Sequence, residues 1–155
     1  MSYRIAGLSP EPFTSLWSLD AAALAARHIR EVVADSAHGY PCRVSLQDAA
    51  VGEKLFLLPF AHHDVATPYR ASGPIYVRQH ADQAVTLRNQ VPPYLSRRLL
   101  SVRGYDETGW MQASEVVEGT LLDPLVQQLL ARADVAYLHI HYARAGCYAC
   151  RVDRD

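Results

Sequence analysis

Residues 135–150, VAYLHIHYARAGCYAC, bring two histidines, two cysteines, one arginine and three tyrosines together in sixteen consecutive positions. In the first half of this segment apolar and polar residues alternate, which is typical of a β-strand. Gly146 indicates a turn, and the residues after it predict a returning strand. The segment therefore predicts a β-hairpin with His139 and His141 side by side on one face, about 6–7 Å apart.

The register of this hairpin decides which cysteine can meet the histidines. With residues 143–146 as the loop, the facing pairs are Tyr142 with Cys147, His141 with Tyr148 and His139 with Cys150. Cys147 and Cys150 are three positions apart, so on a strand without a bulge they point to opposite faces. Only one cysteine can then share a face with the histidines. The same spacing disfavours a redox pair, which needs both sulfurs close together.

The composition predicts one ordinary globular domain over residues 1–155, with 50% hydrophobic residues, 20% charged residues and a net charge of −1. Proteins that bind nucleic acid or anionic membranes usually carry a basic excess, so neither partner is expected. No apolar run approaches the length of about eighteen residues that a membrane span needs, and the N-terminus lacks a secretory pattern. Three cysteines, an odd and sparse number, predict free thiols in the reducing cytoplasm.

The remaining patterns predict an α+β fold. Residues 53–60 are almost continuously apolar, which indicates a central strand buried on both faces. Asp20 is a candidate N-cap for a short helix over residues 21–27, and Asp123 followed by Pro124 indicates a second helix start. Strand patterns outnumber helices and are joined mainly by short polar turns. We therefore expect an antiparallel or mixed sheet of about 6–8 strands, with two or three helices packed on one face.

The first functional hypothesis is a small-molecule pocket on the sheet face that carries the histidines, with His141 as a general base beside a thiolate. Cys147 is the first candidate thiol. Cys42 is another, since the neighbouring Arg43 would lower its thiol pKa. The candidate partners for a small, anionic ligand are Arg43, Arg70, Arg144, His139 and Tyr69.

Two alternatives use other chemistry. In the first, a zinc ion binds His139, His141 and one cysteine, with His62 or His63 as a fourth ligand from the irregular segment 61–73. In the second, the protein is a non-catalytic interaction module, in one version a homodimer, and the histidines are hydrogen-bonded residues of a half-buried sheet face. The sequence implies no cofactor other than zinc in the metal alternative, and it does not decide whether the protein is an enzyme.

Three blocks of sequence resemble a known family. They are GYPCRVSLQDAAVGEKLFLLPF at residues 39–60, PYRASGPIYVR at residues 68–78 and HIHYARAGCYA at residues 139–149. Their order and spacing are similar to those of a small bacterial family of about this length, the domain of unknown function family 1203. The resemblance covers most of the chain from Gly39 onward. It implies a stand-alone bacterial protein, and it carries over no activity, substrate, cofactor or functional residue.

Overall fold

Nine β-strands in two antiparallel sheets and four short α-helices make up the computed structural model, which describes residues 1–155. The strands are β1 Tyr3–Ala6, β2 Arg30–Val33, β3 Lys54–His63, β4 Ala71–Arg78, β5 Thr86–Arg88, β6 Leu99–Tyr105, β7 Met111–Glu118, β8 Tyr137–Tyr142 and β9 Tyr148–Arg154. The helices are α1 Glu11–Thr14, α2 Ala21–Ala26, α3 Pro93–Ser96 and α4 Leu122–Leu130. None of them has the length and apolar composition needed to cross a bilayer.

The predicted α+β class is confirmed, although the strands divide between two sheets. Six strands form one sheet in the order β5-β1-β9-β8-β6-β7, and three form the other in the order β2-β3-β4. The predicted N-cap of α2 is also confirmed, since the Asp20 carboxylate accepts a hydrogen bond from the Ala23 backbone N–H at 2.8 Å. The helix count of two or three was too low because α1 and α3 are single turns. Such short helices leave no clear periodic pattern in the sequence.

Helix α4 covers one face of the six-stranded sheet and builds the larger hydrophobic core. Its apolar residues recur at helical spacing, so one stripe of side chains faces the sheet. Leu138 and Ile140 of β8 point into the same core. Asp123 lies in the first turn of α4 and accepts a hydrogen bond from the Tyr3 hydroxyl at 2.5 Å, which ties the helix to β1.

The three-stranded sheet has its own core, and β3 is its central strand, as the apolar run at residues 53–60 predicted. Burial on both faces holds only at the start of this strand, since Pro59 and Ala61 are exposed. On one face Phe56 and its neighbours pack against the N-terminal segment, where the rings of Trp17 and Phe56 stack at 3.7 Å. On the other face Leu55 packs against Ala34 and Ala49. Both faces of β3 are therefore apolar through most of its length.

The end of β3 corrects the prediction that residues 61–73 form an irregular segment. The strand continues past Phe60 to His63, with a bulge in its pairing to β4, and β4 already begins at Ala71. This extension carries His62 and His63 onto the second face of the six-stranded sheet, where both rings contact His139 of β8. The polar composition of residues 61–73 predicted a loop. In the structure the side chains of His62 and His63 cover part of the six-stranded sheet.

The hairpin of β8 and β9 contains a bulge that changes its predicted register. His141 pairs with Tyr148, as predicted, but the next pair toward the sheet centre is Ile140 with Cys150. His139 therefore faces Arg151, and the predicted pairing of His139 with Cys150 is wrong. One extra residue on β9 reverses which face its later side chains use. Cys150 consequently lies in the apolar core that contains Ile140.

We expect Leu138→Ala to lower the free energy of unfolding by about 2–5 kcal/mol, because it removes buried methyl groups from the larger core. Leu121→Ala is the matched control, because Leu121 is 58% exposed and its truncation should change stability by less than about 0.5 kcal/mol. Urea titration followed by circular dichroism measures both. Equal losses in the two variants would contradict the assigned core.

Candidate metal centre

Three histidines converge where the end of β3 crosses β8. His139 and His141 are two positions apart on β8, so they share a face, and His62 from β3 lies against both. The His62 ring centroid is 6.2 Å from that of His139 and 5.2 Å from that of His141. One ring nitrogen of each histidine lies within 4.8 Å of the corresponding nitrogens of the other two. The two sheets therefore assemble a compact group of three imidazoles.

Burial keeps these imidazoles uncharged. His139 and His141 are 2% and 1% exposed, and His62 is half-buried. Desolvation, reinforced by neighbouring cationic groups, lowers the pKa of His139 to about 2 and that of His62 to about 4. Desolvation also lowers the pKa of His141 to about 4. At neutral pH each ring is therefore neutral and keeps one nitrogen lone pair, which is the form that binds metal ions.

Each of the three rings has a buried nitrogen without a hydrogen-bond partner. The atoms are His62 Nδ1, His139 Nδ1 and His141 Nε2. Nearly all buried polar atoms in proteins are hydrogen-bonded, and an unsatisfied one costs about 1–3 kcal/mol. Three such atoms in one cluster are positions at which a bound ligand would complete the bonding.

The other ring nitrogen of His141 is held by the hairpin loop. His141 Nδ1 lies 3.0 Å from the Gly146 carbonyl oxygen, which can only accept, so Nδ1 carries the hydrogen. Gly146 has a φ of 79°, a left-handed conformation that glycine adopts without strain. The hydrogen bond from His141 Nδ1 to Gly146 leaves the lone pair of the neutral ring on His141 Nε2. Histidine ligands of metals typically donate their second N–H to a carbonyl or carboxylate in this way.

His63 has a supporting position, although the sequence placed it beside His62 as an equal candidate. Its Nδ1 donates to the Tyr69 carbonyl at 2.8 Å, and its Nε2 accepts from the Tyr137 hydroxyl at 2.9 Å. Both ring nitrogens are therefore satisfied within the protein. The ring packs on Tyr105 at 4.2 Å and on His139 at 4.9 Å, so His63 holds the end of β3 on the sheet.

Tyrosine rings form the wall of the histidine cluster. Tyr148, which pairs with His141, stacks on the His62 ring with centroids 5.1 Å apart and planes at 7°. Tyr105 and Tyr137 contact His139 from the other end of the face. These rings exclude water and so lower the local dielectric constant, which strengthens any charge interaction inside. No site role was predicted for Tyr105, Tyr137 or Tyr148, because their contacts depend on the pairing of β6, β8 and β9.

The structure does not bring the predicted thiols to the histidines. Cys150 is buried in the larger core, and burial raises its thiol pKa to about 12. Cys42 is 0% exposed in the core between the three-stranded sheet and the N-terminal segment. Its sulfur accepts a hydrogen bond from the Arg78 backbone N–H. Cys147 packs against the larger core, on the side of β8 opposite His141. The predicted pairing of His141 with a cysteine thiolate is therefore not formed.

The predicted ligand-binding residues are divided between separate places. Arg70 forms an exposed ion pair with Asp64 at 2.8 Å. Tyr69 contributes its backbone carbonyl to His63, and its ring contacts Trp110 near the surface. Arg43 and Arg144 line a cleft on the side of β8 that carries Tyr142, away from the imidazoles. The structure therefore separates the residues that the sequence predicted to share one pocket.

A family model described as a protein of unknown function, DUF1203, matches residues 39–154. The chain belongs to this family. The matched part includes His62, His139 and His141, together with the strands that carry them. No curated protein and no solved structure matches the chain.

We expect Cys147 to react with iodoacetamide at least about tenfold faster than Cys42 and Cys150 in the native protein, because only Cys147 is partly exposed. A chelator should leave all three rates unchanged, since no cysteine contacts the histidine cluster. Peptide mass spectrometry after timed labelling measures the rates, and labelling in urea provides the unfolded control. Rapid labelling of Cys150 below pH 8 would contradict its position in the core.

Proposed function

We propose that this DUF1203 protein binds a divalent transition-metal ion, preferentially zinc, through His62, His139 and His141. The observation that carries the proposal is the convergence of three ring nitrogens within 4.8 Å, on imidazoles that burial keeps neutral. The buried nitrogens without hydrogen-bond partners in the same three rings support it.

The donor set favours particular metals. Imidazole nitrogen suits Zn²⁺, Cu²⁺, Ni²⁺ and Fe²⁺, whereas Mg²⁺ and Ca²⁺ prefer oxygen ligands. Zinc binds histidine nitrogen at about 2.0–2.1 Å, so in a tetrahedral site the nitrogens lie roughly 3.4 Å apart. The present nitrogens, which lie within 4.8 Å of one another, would have to move closer to reach that spacing. The hydrogen bond from His141 Nδ1 to Gly146 already orients one ring for binding through Nε2.

Three protein ligands leave the fourth position of a tetrahedral zinc ion for water or another small ligand. This open arrangement is typical of zinc sites that activate a bound water, whereas purely structural sites usually have four protein ligands. Neither Cys147 nor Cys150 is placed to complete the set. The proposed zinc site therefore keeps His139, His141 and His62 from the sequence-based hypothesis and omits its cysteine.

We also propose that the protein works in the cytoplasm. Its three cysteines are all free, and Cys42 and Cys150 lie in different hydrophobic cores. A protein of an oxidising compartment would normally use such residues in disulfides. Thiol titration of the unfolded protein, purified without reductant, should therefore find three thiols per chain.

We expect His62→Gln to lower the affinity for zinc by more than about 100-fold, since loss of even an indirect partner of a metal ligand costs about 10–100-fold. His62 is the best ligand to replace, because it is half-buried and its loss should leave the sheets intact. Isothermal titration of chelator-treated protein with Zn²⁺ measures the affinity and should give one site per chain in the wild type.

His63→Gln is the matched control. This residue is adjacent in sequence and also contacts His139, but both of its ring nitrogens are already hydrogen-bonded. The variant should keep the zinc stoichiometry of one while losing some stability. Equal loss of zinc binding in both variants would contradict the assignment of His62 as a ligand, and absence of zinc binding by the wild type would overturn the proposal.

Zinc should also stabilise the fold, since the ion would join β3 of one sheet to β8 of the other. At a free zinc concentration 100 times the dissociation constant, binding adds about 2.7 kcal/mol to the free energy of unfolding. Differential scanning fluorimetry with Zn²⁺, and with Mg²⁺ as a control, measures the shift in melting temperature. An equal shift with Mg²⁺ would indicate general ionic stabilisation and contradict the nitrogen site.

A further inference from the structure

Four arginines line a cleft of about 490 Å³ near the end of β8, which we call the arginine cleft. This volume lies within the usual range of small-molecule sites. Tyr76 and Tyr142 contribute aromatic surface, and Cys147 lies at the loop of the last hairpin. The arginines are Arg43, Arg97, Arg98 and Arg144.

Arg43 is the unusual member of this group, because it is 2% exposed and forms no ion pair with a carboxylate. Its Nε donates to the Tyr148 carbonyl at 2.7 Å, and Nη1 donates to the carbonyl of Pro41. Its guanidinium also lies over the Tyr142 ring, 5.1 Å from the centroid. These contacts orient the group but do not neutralise it. Buried charges in proteins are normally paired, so Arg43 lacks the counterion expected of it.

The other charges do not supply this counterion. Arg97 and Arg98 share the Asp48 carboxylate, at 3.1 and 2.7 Å. Arg144 is exposed and forms no ion pair, and Glu118 is the single acidic residue in the lining. Together with Asp48, these groups leave the cleft with an excess of two positive charges, although the whole chain has a net charge of −1.

We propose that the arginine cleft binds a small organic molecule through an oxyanion, either a phosphate or a carboxylate group. Arg43 and Arg144 are its direct partners, since neither is neutralised by a carboxylate. Guanidinium groups match the geometry of both oxyanions with paired N–H donors. Tyr76 and Tyr142 would contact the organic part of the molecule. The proposal is independent of the metal centre, because none of the three histidine ligands lines the cleft.

The concave shape favours a small molecule over a nucleic acid. A nucleic-acid surface needs a basic stripe along an extended face, whereas these four arginines line a single recess. A recess of this size can bury most of the surface of a ligand that has one ring and one charged group. The aromatic and cationic groups on its lining match those two parts of such a ligand.

Isothermal titration with phenyl phosphate and with benzoate, at constant ionic strength, tests the proposal. We expect a dissociation constant of about 1 mM or tighter for at least one probe. Binding of phenyl phosphate alone would identify a phosphate site, binding of benzoate alone a carboxylate site, and binding of both a general oxyanion site. Failure of both probes to bind would overturn the proposal.

Arg144→Gln tests the location of binding, because this exposed residue can be replaced without disturbing a core. The dissociation constant should rise at least about tenfold, as expected for the loss of a charge-assisted hydrogen bond. Arg70→Gln is the matched control and should bind like the wild type, since Arg70 is an exposed arginine outside the cleft. Equal weakening in both variants would show non-specific charge attraction and contradict the site.

The metal and oxyanion proposals can fail separately. His62→Gln should lose zinc and still bind the phenyl phosphate or benzoate probe, whereas Arg144→Gln should show the opposite behaviour. If His62→Gln abolished probe binding in folded protein, the probe would be bound at the metal centre. That result would overturn the arginine cleft as the oxyanion site.

Discussion

The structure depends on covering both faces of β8, whose six residues are all buried. One face is apolar, and α4 covers it by ordinary hydrophobic packing. The other face carries Tyr137, His139 and His141, whose polar atoms need partners once water is removed. The end of β3 covers this face with two more histidines. The contact between the end of β3 and β8, which we call the joint between the sheets, is therefore built from imidazole and phenol rings rather than from aliphatic side chains.

Within this joint, neighbouring histidines have different environments. His63 has a partner for each ring nitrogen and acts as a structural contact between the sheets. His62, one residue earlier, has a buried nitrogen without a hydrogen bond, and its ring lies against those of His139 and His141. At this bulged end of β3 both rings contact His139, but only His63 has a protein partner for each ring nitrogen. This division supports the proposed metal centre at His62, His139 and His141.

The two proposed sites lie on opposite sides of the last hairpin, yet they share Tyr148. Arg43 donates to the backbone carbonyl of Tyr148, while the ring of the same residue stacks on His62. The β9 bulge next to Tyr148 separates the chemistry of the two sides, because it directs Cys150 into the core. The three imidazoles thus lie on one side and the four arginines of the arginine cleft on the other, with no thiolate beside the histidines.

Local patterns in the sequence were sufficient for the α+β class, the terminal hairpin and the shared face of His139 and His141, because period-two alternation and turn residues act over a few positions. They also identified His62, His63, Arg43 and Arg144 as candidates by side-chain chemistry. Tertiary structure alone decided which candidates meet. A bulge of one residue changed the face of Cys150, and a strand extension brought His62 to β8 from more than seventy residues away. Neither event leaves a local signal, since each depends on covering a buried sheet face with groups that are distant in sequence.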